Sequence, residues 1–397
     1  MNERRDSKVY TVKNRWYVLL LLFVSRLGNG FQFQSFVSVS DQVSMEIGFS
    51  NTEIGFLIGI FMLPGVFLAF PSGWVGRWIN DKYIVAVGLL FLCLGGFMVS
   101  FSQDFVYMSF GRFVCGAGFV LSTLYFTKMT VDWFQDKELA TALGILIISW
   151  PGGIALSQLV HPQIASHFGW QAAIIVASVF CLGAAFLISI FYRSPSQSSS
   201  ERNAVRQESY LSRAEWLKTS VASWSWSFYN AGYLVFLSFC VQALQEYGVT
   251  EFDAENTAGI SSIFVMVSIL FGGIIADKFQ IAHSITLSSS AVATFTLLFL
   301  PFGYFPIVLC FVFGAIGMAS GGIIIALSGR AMAPERRAYG MGVYQTWFFL
   351  ISAPAPLAAG WLHDLTETAS AAMMLGGLLL AMSCIFYFSF LKINKEA

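Results

Sequence analysis

Residues 17–36 read YVLLLLFVSRLGNGFQFQSF, a run of helix length in which Arg26 is the only charged residue. Residues 105–122, FVYMSFGRFVCGAGFVLS, repeat the situation around Arg112. An apolar helix of about 20 residues spans a bilayer, and an Arg near its middle costs roughly 2.5–3.5 kcal/mol on insertion scales. Such a residue faces a bundle interior or a watery cavity and needs a partner. Every carboxylate in the chain falls in a loop, a tail or a helix end. Two embedded cations are thereby left without a protein counter-ion, and the missing anion reads as a ligand.

The rest of the composition agrees with a chain that lives in lipid. Of 397 residues, 56% are hydrophobic and 11% charged, against about 25% charged in a soluble domain, and the mean hydropathy is +0.69. Apolar runs that can span fall at 16–38, 54–72, 83–101, 105–126, 139–160, 171–191, 219–245, 257–276, 284–302, 305–328, 339–361 and 369–391. The first is too long for the apolar core of a signal peptide, so it is expected to be retained. Proline within these runs, Pro151 among them, does not argue against helix in a membrane.

Basic residues set the orientation. Apart from Arg26 and Arg112, every Lys and Arg lies in the N-terminal tail, in a loop after an even-numbered span or in the C-terminal tail. The opposite loops carry Asp41, Glu46, Glu53, Asp104, Glu246, Glu251, Asp253, Glu255, Asp364 and Glu367 and no Lys or Arg. The positive-inside rule then puts both termini in the cytoplasm, with a bacterial inner membrane as the expected location. The expected division is a tail over 1–15, a six-helix half over 16–191, a polar linker over 192–218, a second six-helix half over 219–391 and a tail over 392–397. The linker opens with RSPSQSSSERN, which cannot bury a core.

Two local repeats support duplicated halves. Gly73-Trp74-Val75-Gly76-Arg77 after the second span is echoed by Gly273-Ile274-Ile275-Ala276-Asp277-Lys278 after the eighth, 200 residues later. Ala140-Thr141-Ala142-Leu143-Gly144 and Ala338-Tyr339-Gly340-Met341-Gly342, at the starts of spans 5 and 11, are 198 apart.

On these residues the chain resembles the major facilitator superfamily over its whole length. That family carries Gly-x-x-x-Asp-Arg/Lys-x-Gly-Arg-Arg/Lys after spans 2 and 8. Gly273, Asp277 and Lys278 match its first half. In the first copy Arg77 stands where the acid is usual and Asp81 where a base is usual. Arg112-Phe113-Val114-Cys115-Gly116-Ala117-Gly118 resembles the span 4 motif, and Trp150-Pro151-Gly152-Gly153 a fragment of the span 5 motif. The resemblance implies an all-α polytopic membrane protein, with twelve transmembrane helices in two pseudo-symmetric six-helix halves around a central cavity lined by spans 1, 4, 7 and 10. Span 1 is then the inverted-repeat counterpart of span 4, and Arg26 and Arg112 approach one cavity.

The resemblance extends to the superfamily's organic-anion branch, which pairs Arg on spans 1 and 4. It implies a secondary or facilitative carrier of a small organic anion of the carboxylate class, working by alternating access. Guanidinium suits the task because it stays charged when desolvated and grips a carboxylate through two hydrogen bonds. Expected substrate residues are Arg26, Arg112, Asn29, Tyr229, Asn230, Tyr233, Tyr344 and Gln345. Expected gating residues are Gly73, Arg77, Asp81, Gly273, Asp277, Lys278 and Pro151. For Arg26 the alternative is bonding to backbone carbonyls of a neighbouring broken helix, and for Arg112 a helix-packing role. The runner-up function is a carrier of zwitterionic or neutral solutes such as amino acids, short peptides or drugs, and a third reading is a transporter-like sensor without flux.

The remaining chemistry is sparse. Six Cys and four His lack metal-ligand spacing, and there is no phosphate-cradling loop, Ser/His arrangement or embedded acid pair. The chain is therefore expected to be no enzyme, to need no cofactor or metal, and to bind no nucleic acid. Expected partners are the lipid bilayer, the substrate and a coupling ion or exchanged anion, with the chain a monomer.

Overall fold

In the computed structural model the described residues are 12–75, 78–134, 138–194, 210–333 and 336–395. In chain order the helices are α1 (Val12–Val37), α2 (Ser40–Ile47), α3 (Asn51–Gly59), α4 (Pro64–Val75), α5 (Asp81–Ser100), α6 (Phe105–Phe134), α7 (Leu139–Phe168), α8 (Trp170–Phe191), α9 (Arg213–Gln245), α10 (Glu251–Phe279), α11 (Ala282–Phe299), α12 (Pro306–Val312), α13 (Gly321–Ile325), α14 (Ser328–Ala331), α15 (Arg337–Ser352), α16 (Pro354–Thr366) and α17 (Ala369–Lys395). Among the described residues nine helices are long and apolar enough to cross a membrane. A tenth span is made by two pieces bent 41° apart, Pro306–Gly317 and Gly321–Ala331. With α1, and with α15 and α16 taken together, the order matches twelve spans. The fold is all-helical and polytopic, with two six-helix halves.

Local chemistry explains where these helices begin and break. Ser50 and Ser212 each form a capping box with the Glu three residues on, Glu53 and Glu215. Each box satisfies amides that would otherwise be stranded at a helix start. Spans 2 and 11 break just before Pro64 and Pro354, because proline has no amide to continue the ladder. Span 10 loosens into a π turn at Phe313–Gly317 before its bend. The helix carrying span 5 continues to Phe168, beyond the expected end at 160, so His161 sits inside α7 rather than near its end.

The two halves meet most tightly at the end that carries the acidic loops. There α3 lies directly on α16. A Cβ on Gly55, Gly59 or Gly360 would come within 2.1–2.2 Å of the carbonyl oxygens of Pro356, Ala353 and Asn51. Asp364 accepts from the Asn51 amide at 3.1 Å and the Thr52 amide at 2.8 Å, tying the start of α3 to α16. The described hydrogen bonds that link the halves are those from Asn51 and Thr52, backbone and side chain, to Asp364, that from Gln242 to Asp41, and that from Ser262 to Gln158 at 2.5 Å. All lie toward the acidic-loop end. The ion pairs at the basic-loop end, Arg15–Glu138, Lys128–Asp81 and Arg336–Glu215, each stay within one half. Among the described residues the hydrogen bonds between the halves thus gather toward the acidic-loop end, while α4 packs on α15 across the halves toward the other.

Candidate functional site

Arg26 lies on the face of α1 that packs against α7. Its Nη1 donates to the carbonyl oxygen of Leu146 at 2.6 Å, that of Ile147 at 3.3 Å and Ser149 Oγ at 3.0 Å. One of these acceptors, the Ile147 carbonyl, is available for a reason readable in α7. Pro151 has no amide to give the carbonyl four residues earlier, which belongs to Ile147. The guanidinium answers that vacancy. Close approach is permitted by a glycine pair: a Cβ on Gly30 would sit 2.3 Å from the Trp150 carbonyl oxygen, and one on Gly153 2.3 Å from that of Leu27. Arg26 Nε is buried without a partner, so one donor of the fork is unspent.

Arg112 is enclosed more completely, at 1% exposure. Nε donates to Leu57 O at 3.0 Å, and both terminal nitrogens lie 3.4 Å from Phe33 O. Its charge also lies 4.8–5.7 Å from the ring centres of Phe33, Phe36 and Phe61, within cation–π range. Leu57 sits in α3, just before the break between α3 and α4, so Arg112 clamps span 4 to span 2. Among the described residues neither Arg has a carboxylate partner. Asn29 bridges α1 and α6, donating to Thr123 Oγ1 at 2.9 Å and accepting from Ser122 Oγ at 3.1 Å.

The C-terminal half presents aromatic and hydroxyl groups. Tyr229 donates to Met318 O at 2.6 Å, at the bend of span 10. Trp226 stacks on Tyr229 with ring centres 5.7 Å apart. Asn230 spends its amide on the Trp226 carbonyl one turn back, at 2.8 Å. Tyr233 is buried beside Ser262 of α10. Tyr344 is 1% exposed and its hydroxyl has no partner, while Gln345 is half-buried on the same helix. Aromatic rings run between the halves: Trp150 to Phe119 at 4.7 Å, and Phe119 to Phe349 at 6.3 Å.

The gating residues are dispersed. Asp81, at the start of α5, pairs with Lys128 near the end of α6, whereas Arg77 lies outside the described residues. Gly73 lies near the end of α4. A Cβ on Gly273 would meet open space. Asp277 and Lys278 are exposed, with Lys278 Nζ 5.5 Å from the Phe279 ring centre. Sequence reasoning did not single out Ser149, Gln158 or His161. His161 is fully buried, with Nδ1 2.6 Å from Ser157 Oγ. The available signal was three polar residues at helical spacing, Ser157, Gln158 and His161, inside an apolar run.

The description of the Major Facilitator Superfamily matches residues 18–356. The chain belongs to that superfamily. A bacterial homologue of the human lysosomal transporter Spinster, in an inward-facing unoccupied conformation, has the same fold, with a TM-score of 0.75 at 14% identity over 97% of this chain and 98% of that one. A choline/ethanolamine transporter of Rattus norvegicus is 22% identical over 74% of this chain and 59% of that protein. A hexuronate transporter of Bacillus subtilis is 21% identical over 67% of this chain and 65% of that protein. This superfamily chain thus spans less than two thirds of the length of the curated relatives it matches.

Proposed function

We propose that this protein is a membrane carrier that moves a small organic anion of the carboxylate class by alternating access, with halves at 16–191 and 219–391 rocking about a central site. The observation that carries the reading is the pair of buried guanidiniums held, among the described residues, by carbonyl, hydroxyl and aromatic groups. Carbonyl dipoles solvate a cation, but they leave its unit charge uncompensated. A carboxylate entering the interior supplies that compensation and displaces Arg26 from the carbonyls of α7. Arg26 makes the contact through its unspent donor. Arg112 adds its charge while clamping span 4 to span 2, and Asn29 orders the α1–α6 contact beside them. Tyr229, Asn230, Tyr233, Tyr344 and Gln345 face the body of the substrate from the other half. The joined acidic-loop end is read as the closed side of the cycle, with both termini on the opposite, cytoplasmic side. The hexuronate transporter among the relatives supports a carboxylate substrate.

A second reading rests on the stacked Trp226–Tyr229 pair. A zwitterion would place its carboxylate on Arg26 and its ammonium against these rings, and the relative named for choline and ethanolamine points the same way. Counterflow into liposomes with a panel of carboxylates, zwitterions and quaternary amines separates the two. The anion reading expects saturable exchange of carboxylates alone, lost in Arg26→Gln and reduced in Arg112→Gln. Normal transport by both variants overturns it.

A further inference from the structure

A second polar centre lies away from the two Arg residues, inside the seal between the halves. A cavity of about 30 Å³ is lined by Gln34 of α1, Asp41 of α2, Gln158 of α7, Gln242 of α9 and Glu251 and Glu255 of α10. That volume holds roughly one or two waters. Asp41 comes from the N-terminal half and the two Glu from the C-terminal half, so closing this end brings like charges together. The cavity lining contains no Lys, Arg or His, and the loops at this end carry no Lys or Arg. His161, three residues along α7 from Gln158, is engaged with Ser157 and lies against Phe31.

Two amide oxygens at this centre lack partners, as does the hydroxyl of Ser38, which lines the same cavity. Gln34 is 1% exposed and its Oε1 has no partner; Gln242 spends its amide nitrogen on Asp41, and its own Oε1 is also buried without one. Ionised carboxylates offer only acceptors, whereas a protonated carboxyl supplies an O–H. Among the described residues no group of three His, Cys, Asp or Glu is placed to hold a metal ion. Burial pushes the Asp41 carboxyl above its ordinary range and Glu251 adds to that, against the opposing hydrogen bond from Gln242.

We propose that Asp41, Glu251 and Glu255, with the amide oxygens of Gln34 and Gln242, form a proton-binding site that must be occupied for the acidic-loop end to close. Opening that end admits water, ionises the carboxyls and separates Asp41 from the two Glu. The closed state therefore binds more protons than the open one. It is favoured at low pH and lost as pH rises through the closed-state values. This coupling is independent of what the carrier transports.

The test measures distances across this end by electron spin resonance on the full chain in lipid nanodiscs. Spin labels go on Met45→Cys and Phe252→Cys, which are exposed on α2 and α10, in a Cys384→Ser background. Between about pH 5 and about pH 9 the closed-to-open ratio is expected to fall roughly tenfold for each unit by which closing raises a carboxyl's proton affinity. Asp41→Asn with Glu255→Gln should hold the end closed at all pH, and each single variant should flatten the profile in part. A pH-independent ratio in the unsubstituted chain overturns the proposal, as does an undiminished pH profile in the single variants. Replacing sodium by an organic cation should leave the profile unchanged; a ratio that follows sodium instead of pH assigns the site to a metal cation and overturns proton binding.

Discussion

Arg26 and Pro151 are complementary: the proline frees a carbonyl in α7, and the guanidinium on α1 takes it up, with Nη1 3.3 Å from Ile147 O and 2.6 Å from Leu146 O. The residue that seemed to need a counter-ion is thus parked on a helix defect that its neighbour creates. The same logic recurs in the other half, where Tyr229 bonds the Met318 carbonyl at the bend of span 10. Both defects lie within membrane-crossing segments, where a stranded carbonyl has no bulk water to turn to.

Pro151→Ala should separate the two roles of this pair. It restores an amide donor to Ile147 and straightens α7, so the melting temperature should hold or rise. Arg26 then competes with the helix for its acceptor. Counterflow should slow by roughly tenfold, which corresponds to about 1.4 kcal/mol on the barrier. Faster or unchanged transport would show that the proline-freed carbonyl plays no part in the cycle.

The crossing of α1 and α7 should tolerate no added methyl. Gly30→Ala and Gly153→Ala each drive a Cβ into a backbone carbonyl oxygen at 2.3 Å, and backbone cannot yield as a side chain can. Each should lower stability by about 1–3 kcal/mol, read as a fall in melting temperature in detergent. Gly152→Ala, whose nearest neighbour is 3.4 Å away, is the matched control and should melt near the unsubstituted chain.

Two tyrosines should behave oppositely when their hydroxyls are removed. Tyr229→Phe loses the bond to Met318 O and strands a buried carbonyl, at a cost of about 1–3 kcal/mol. Tyr344→Phe removes a hydroxyl that is buried and unpartnered, so its stability should not fall. If that hydroxyl meets the substrate, the KM of Tyr344→Phe should rise severalfold while its melting curve stays in place.

Asp364 should act as a latch that neutral pH leaves engaged. Burial raises its carboxyl pKa, but the hydrogen bonds from Thr52 and Asn51 outweigh this and hold it below the ordinary value. A carboxylate with a depressed pKa contributes stability above its free value and loses it as pH falls through the depressed one. Asp364→Asn at neutral pH should therefore loosen the contact between α3 and α16, shifting the distance distribution across that end toward open. In the unsubstituted chain the Asp364 contacts themselves should be lost under strongly acidic conditions, separately from the opening expected as pH rises.

Much of the architecture was legible because lipid imposes a simple rule. Spans must be long and apolar, so the all-helical fold, the order of helices and the superfamily could be read from composition, spacing and motif. The breaks at Pro64 and Pro354 were also visible as residue types. The reach of α7 to Phe168 was not, because His161 and Gln163 look like the start of a loop until packing supplies His161 with Ser157 and Phe31.

By itself the sequence determined that two cations would be buried without acidic partners in their own spans. Charge and hydropathy are properties of the chain and need no neighbours to be counted. Which oxygens satisfy those cations was decided only by the tertiary structure. Arg26 meets carbonyls 120 residues away and Arg112 meets those of two other spans. The same holds for the carboxylates of the acidic-loop end. Asp41, Glu251 and Glu255 are ordinary loop and helix-end acids in the sequence, and become one centre only because the halves close on them. Helix formation depends on near neighbours, whereas the environment of a charge depends on everything the fold brings within a few ångströms.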